Sequence, residues 1–230
     1  SQSGITHHGQ LAAVNQLSVD AAQLDLSGST NQAANISYTS KADIAHQHAT
    51  SSATNSIVIN NTNGIFSNQQ GNITAKTVNL DSKALQNGGS IYAKALTVHQ
   101  IDDYTHAKQD KLIADNLNFN TQGGFTNQGQ LSANQVLSLT AKSITNDKDA
   151  TINAANLTHL DSQSYLNNQG LINGNATYIK AKNAINNQAG GRIYGTHLAI
   201  AADTLNNTPA KIHDTDATNT APVIAARQRL

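Results

Sequence analysis

The sequence predicts an all-β chain wound as a parallel β-helix, a solenoid of coils about 20 residues long with three short strands in each. Three observations predict it. An apolar residue followed two positions later by Asn recurs as Phe66/Asn68, Leu85/Asn87, Phe125/Asn127, Ile144/Asn146, Leu166/Asn168, Ile185/Asn187 and Leu205/Asn207. An aliphatic residue with Ala or Gly two positions on keeps the same period, as in Ile73/Ala75, Leu131/Ala133, Ile152/Ala154, Ile172/Gly174 and Ile193/Gly195. A third apolar pair follows, as in Val78/Leu80, Leu96/Val98, Leu117/Phe119, Leu137/Leu139 and Leu198/Ile200.

Each of these segments alternates with period two over three or four residues, which gives a strand one inward face, and none shows the three-and-four spacing of a helix. One such unit cannot bury its inward face alone. Stacked units bury a continuous core, which is why a fixed period reads as a solenoid. The Asn column then acquires a cause. In a parallel stack each side chain lies over its counterpart, and like charges ~4.8 Å apart would repel by about 1 kcal/mol per neighbour even in water. Asn carries a donor and an acceptor, so Asn68, Asn87, Asn127, Asn146, Asn168, Asn187 and Asn207 are expected to form a structural ladder at a turn.

Composition agrees with this architecture and narrows the chemistry. Asn supplies 29 of the 230 residues, charged residues only 12%, and every acidic residue is Asp; Glu, Cys, Met and Trp are absent. That alphabet lacks many of the best helix formers. A formal net charge of +0 offers no field for a nucleic-acid backbone, and no apolar run approaches the ~20 residues of a membrane-spanning helix. Without Cys there is no disulfide framework, thiolate metal site or cysteine nucleophile.

The repeat weakens in three places, where loops and therefore function are expected. Residues 28–56, with Tyr38 and His46-Gln47-His48, read as an irregular excursion within less regular coils spanning 1–65. At 99–111 the apolar-x-Asn copy is missing, and Asp102, Asp103, Tyr104, His106, Lys108 and Lys111 form a candidate partner-binding surface. After regular repeats over 66–207, the segment 208–222 reads as an inserted loop bounded by Pro209 and Pro222. It carries Lys211, His213, Asp214 and Asp216 as further candidates before a new coil starts over 223–230. Tyr38 and Tyr104 are the aromatics expected to be exposed on these excursions.

No enzyme site emerges. His7/His8 and His46/His48 lack the third and fourth convergent ligands of a metal centre and read as surface histidines. Asp147/Asp149 and Asp214/Asp216 lack the Gly and Glu of a calcium loop, and no nucleophile elbow, phosphate loop or zinc-protease motif occurs. Six Asn-x-Ser/Thr triplets are what an Asn- and Thr-rich chain produces by chance. Neither a catalytic residue nor a cofactor is expected, and a polysaccharide-acting β-helix enzyme is the most distant of three readings.

The unit of apolar-x-Asn, Gly turn, aliphatic-x-Ala and Leu-x-Leu resembles the haemagglutinin repeat of the filamentous haemagglutinin family, the large exoproteins of bacterial two-partner secretion. The segments Phe125-Thr-Asn-Gln-Gly-Gln-Leu-Ser-Ala133 and Leu166-Asn-Asn-Gln-Gly-Leu-Ile-Asn-Gly174 carry the resemblance, which covers Phe66 to Asn207. Pro222-Val-Ile-Ala-Ala-Arg-Gln-Arg229 resembles the edge between the family's repeat blocks. The resemblance implies a right-handed β-helix, exported through an outer-membrane partner and displayed on a Gram-negative cell. Family members include adhesins and the effectors of contact-dependent growth inhibition, whose toxin is a separate domain. The expected role is an internal, monomeric stalk segment with no membrane span of its own. The alternative is an adhesion module in which the irregular loops contact a receptor or glycan on a target bacterium or host cell.

Overall fold

The computed structural model describes residues 3–209 and 221–227. Among them every regular element is a strand and the pairing is parallel, giving a β-solenoid of about 10 turns with roughly 20-residue spacing. The chain divides into two units, residues 1–104 with 109–122, and residues 105–108 with 123–230.

In the first unit β1 (Ile5–Thr6), β2 (Gln10–Ala12), β3 (Gln16–Ala21) and β4 (Leu24–Asp25) make the opening coil. Then come β5 (Thr30–Ser40), β6 (Ile44–Ala45), the long β7 (Thr50–Gln100) and β9 (Lys111–Thr121); β8 (Tyr104–His106) precedes β9 in sequence, with Tyr104 in the first unit and Thr105 and His106 in the second. Residues 28–56 differ from the irregular excursion expected of them. Thr30 pairs with Thr50 and Ile36 with Ile57, so this stretch follows the same coil spacing as the rest. The repeat was hard to see because the first inward column holds Asn31 and Ser51 in place of an aliphatic residue, both fully buried. The bulk is made up from the other strands of the coil, where Tyr38, His46 and Phe66 are also fully buried.

In the second unit the three strands of each coil separate cleanly. They are β10 (Gly124–Asn127), β11 (Gln130–Ala141), β12 (Ser143–Asn146), β13 (Thr151–Ser162), β14 (Tyr165–Asn168), β15 (Leu171–Ala181), β16 (Ala184–Gln188), β17 (Arg192–Ala201), β18 (Thr204–Thr208) and β19 (Val223–Ala226). Each of β11, β13 and β15 is two strands joined at an exposed corner, as Asn134-Gln135 shows in β11. Three inward columns run up the stack. Leu131, Ile152, Ile172, Ile193 and Ile224 form the first. Leu139, Leu160, Ile179 and Ile200 form the second, and Phe125, Ile144, Leu166, Ile185 and Leu205 the third. Each fully buried aliphatic member contributes roughly 1.5–3 kcal/mol relative to exposure. Leu205 is 49% exposed because no described strand stacks beyond it.

Corners absorb differences in coil length. β13 spends one residue more than β15 between its two halves, and the register shifts there, between Ala154 and Leu157. The shorter corner of β15 requires Gly174, since a Cβ there would lie 2.7 Å from the Ala176 carbonyl. Thr158 and Thr177 occupy core positions that hold Leu137 and Leu198 in neighbouring coils. Their hydroxyls are satisfied by donating to the Asn173 and Tyr194 carbonyls at 2.7 Å.

Candidate functional site

The most organised polar feature lies where the third strand of each coil turns into the next coil. In the second unit Asn127 Nδ2 donates to Asn146 Oδ1 at 2.8 Å, Asn146 to Asn168 at 2.8 Å, Asn168 to Asn187 at 2.7 Å and Asn187 to Asn207 at 2.8 Å. The same nitrogens reach the carbonyl of their own turn and that of the next coil. Asn127, for example, meets Gly129 O at 3.2 Å and Thr151 O at 2.9 Å. One short side chain therefore ties a corner to itself and to its neighbour, and Asn127, Asn146, Asn168 and Asn187 are fully buried. In the first unit Asn68 donates to Asn87 at 2.8 Å.

Histidine enters this column where the sequence lacks its Asn. Ile44-Ala45-His46 and Tyr104-Thr105-His106 are the unrecognised copies of apolar-x-Asn, and both histidines have 0% exposure. His46 is thus a core residue and not the surface histidine expected. The candidate receptor surface loses two members in the same way. Tyr104 is 3% exposed and stacks on Phe119 at 4.8 Å between ring centroids. Its hydroxyl donates to Asp110 at 3.3 Å, and burial, with Asp110 beside it, holds the phenol well above its ordinary range. Tyr38, the other aromatic expected to be exposed, is fully buried.

The remaining candidates have separate surroundings. Asp102 and Asp103 are exposed on the bend before β8. Lys83 pairs with Asp102 at 4.0 Å, and the Asp102 carbonyl accepts from Gln100 at 2.7 Å and Thr121 at 2.6 Å. Lys111, at the start of β9, and Lys108, in the second unit, are exposed. Lys211, His213, Asp214 and Asp216 lie outside the described residues, as does most of the expected loop 208–222. Asn207 pairs with Asn187 and Val223 with Arg192, so strands on both sides of that segment keep the stacking register.

Around His46 the column becomes a continuous hydrogen-bonded cluster. Asn68 uses its nitrogen on Asn87, so its Oδ1 accepts from His46 Nδ1–H at 2.8 Å. His46 Nε2 is then the acceptor for the Ser51 hydroxyl at 2.8 Å. Ser51 in turn accepts from the Tyr38 hydroxyl at 2.8 Å and from Asn31 at 3.3 Å. Burial pulls the His46 imidazole down to about 4, against the opposing hydrogen bond to Asn68, and pushes the Tyr38 phenol up to about 12. In His106 burial also lowers the imidazole; here the opposing contact is with the Gln130 carbonyl, which accepts from Nε2–H at 3.2 Å.

Ser51, His46 and Asn68 have the hydroxyl–imidazole–amide connectivity of a nucleophilic triad. All three are fully buried, so no substrate atom can approach Ser51, and the cluster is a packing device. Among the described residues no group of three or more His, Cys, Asp or Glu could hold a metal ion.

Comparison with known proteins adds one relationship. The chain is 29% identical over 179 residues, 74% of its length, to Toxin CdiA of Yersinia pestis, of which it spans 5%. No family model matches the chain, and no solved structure matches it.

Proposed function

We propose that this chain is a structural segment of the extracellular stalk of a large two-partner secretion exoprotein, of the adhesin or contact-dependent growth inhibition type. In this role it spaces a distal receptor-binding or toxin region from the cell that displays it. The observation that supports the reading most directly is the column itself. Core aliphatics and buried amides repeat in register from coil to coil, and the polar residues are consumed in holding neighbouring coils together. Similarity to a toxin many times longer than this chain supports it independently, as does the resemblance of the sequence repeat to the haemagglutinin type.

Export through an outer-membrane partner and display on a Gram-negative surface belong to the same proposal. A chain without Cys has no disulfide to form before or after such a passage. Parallel stacking of each new coil on the one before would favour folding outside the cell.

The test is a coil exchange in the full-length parent. Replacing residues 30–66 with the same number of coils bearing a different outer face should leave surface display and activity at parental levels. Loss of activity in a protein that is still folded and displayed would overturn a spacing role and make the outer face a recognition surface.

A further inference from the structure

The turns that carry the Asn ladder alternate in length. Asn146 precedes the core residue Ile152 by six positions and Asn187 precedes Ile193 by six, whereas Asn168, in the coil between, precedes Ile172 by four. Two long turns therefore flank a short one, and the missing residues leave a notch of about 640 Å³ on the turn face of the second unit. It falls within the range of small-ligand sites, roughly 300–1,000 Å³. Its floor is Gln169-Gly170. Gly170 is pressed against the preceding turn so closely that a Cβ would lie 2.6 Å from the Asp147 carbonyl, closer still to that of Ala150, so no side chain rises from it to fill the space. The long turns are held open by left-handed backbone at Asp149 (φ 65°) on one side and at Ala189 and Gly190 (φ 48° and 82°) on the other.

The notch is furnished for an anion that carries hydroxyl groups. Lys148 and Arg192 stand at opposite walls, both exposed, with Ala221 at the rim, and among the described residues neither cation has a carboxylate within 4.0 Å. The walls are two coil steps apart, about 10 Å from backbone to backbone, with one absent layer of ~4.8 Å between them. A layer of that thickness admits a single sugar ring. Arg192 offers a planar fork suited to a carboxylate or phosphate, and Lys148 a second positive charge. Asp149 and Gln169 supply acceptors and an amide donor for ring hydroxyls, and among the described lining residues two cations stand against one carboxylate, a balance that favours an acidic ligand over a neutral one.

We infer that this notch binds an acidic sugar residue, a uronate or a sugar phosphate, with the anion between Arg192 and Lys148 and the ring hydroxyls on Asp149 and Gln169. The site gives the segment a recognition function beyond spacing, and it stands whether or not the chain is a stalk.

The experiment is an NMR titration of the ¹⁵N-labelled chain with trigalacturonate, glucose 1-phosphate, maltotriose and inorganic phosphate. Saturable shifts confined to residues 148–151, 169–171 and 189–192 are expected with one or both acidic sugars, and the stronger of the two identifies the source of the anion. Lys148→Gln with Arg192→Gln, both exposed and so harmless to the fold, should weaken binding about tenfold or more. Three results would overturn the proposal: no shifts with either acidic sugar, shifts equalled by maltotriose or inorganic phosphate, or affinity unchanged in the double variant.

Discussion

The buried polar column is built in two ways, and the difference separates what stacking needs from what it tolerates. In the second unit it is Asn over Asn from Asn127 to Asn207, a set of neutral amides each donating to the next. In the first unit the same position passes from His46 to Asn68 and Asn87, and Ser51, Tyr38 and Asn31 are drawn in to satisfy the imidazole. The ladder amides and the His46 imidazole are buried with partners, as a packed interior demands, whereas Asn31 Oδ1 has none. Only the histidine version contains a group whose protonation is linked to unfolding as the pH falls below neutral.

The largest effect is expected from breaking the regular version. Asn168→Leu removes the acceptor of Asn146 and the donor to Asn187 at once, leaving buried groups unpaired. It should lower unfolding stability by about 3 kcal/mol, read from urea denaturation followed by circular dichroism. The same substitution at the half-buried Asn186 of the outer face should cost less.

Acid should act next, at the buried histidines of the column. The folded-state pKa of His46 is depressed from 6.5 to about 4, so between those values the unfolded chain binds more protons than the folded one. Its contribution is therefore fully present above pH 6.5 and is lost as pH falls toward 4, at a cost of about 3 kcal/mol. The ring meets Tyr38, Phe66, Ser51 and Asn68, none charged at neutral pH, so no carboxylate is placed to rescue the imidazolium. His46→Asn, which restores the column's usual residue, should flatten that part of the stability–pH curve. His106 should add to the acid loss in the same direction.

A smaller change of opposite sign sharpens the comparison. Asn61 lies inward at the end of the second strand of its coil, and neither its amide nitrogen nor its oxygen has a partner. Burial alone thus does not make an Asn stabilising; the neighbour in the stack does. Asn61→Val should raise the urea midpoint, by the equivalent of about 1–2 kcal/mol. The smallest effect belongs to the outer face. Lys180 and Asp161 pair at 3.7 Å with the lysine largely exposed, so Asp161→Asn should change stability by about 0.5 kcal/mol or less in the same assay.

Much of this was legible in the sequence, for a physical reason. Parallel stacking forces the same side chain class into the same place in every coil, so the columns from Phe66 to Leu205 are visible as spacing. The copies at Ile44 and Tyr104 escaped because His stands where Asn was sought. The spacing survives, for Tyr104 lies nineteen positions after Leu85 and twenty-one before Phe125. Charge density misled at 99–111, since the two aromatic rings there face the core while Asp102, Asp103, Lys108 and Lys111 remain outside. The outer ladder of Asn167, Asn186 and Asn206, bonded at 2.8 Å, lay hidden in the Asn-Asn doublets. The notch was harder to foresee, because it depends on the lengths of three consecutive turns and not on any one motif.

The central claim is that buried amides and imidazoles bind coil to coil, and side-chain amide hydrogen exchange tests it most directly. Resolved NMR signals from the Nδ2 protons of Asn68, Asn146, Asn168 and Asn187 should exchange as slowly as the backbone amides of Ile152 and Ile172, with those of exposed Asn156 exchanging at solvent rates. Ladder amides that exchange as fast as Asn156 in the folded protein would contradict the account.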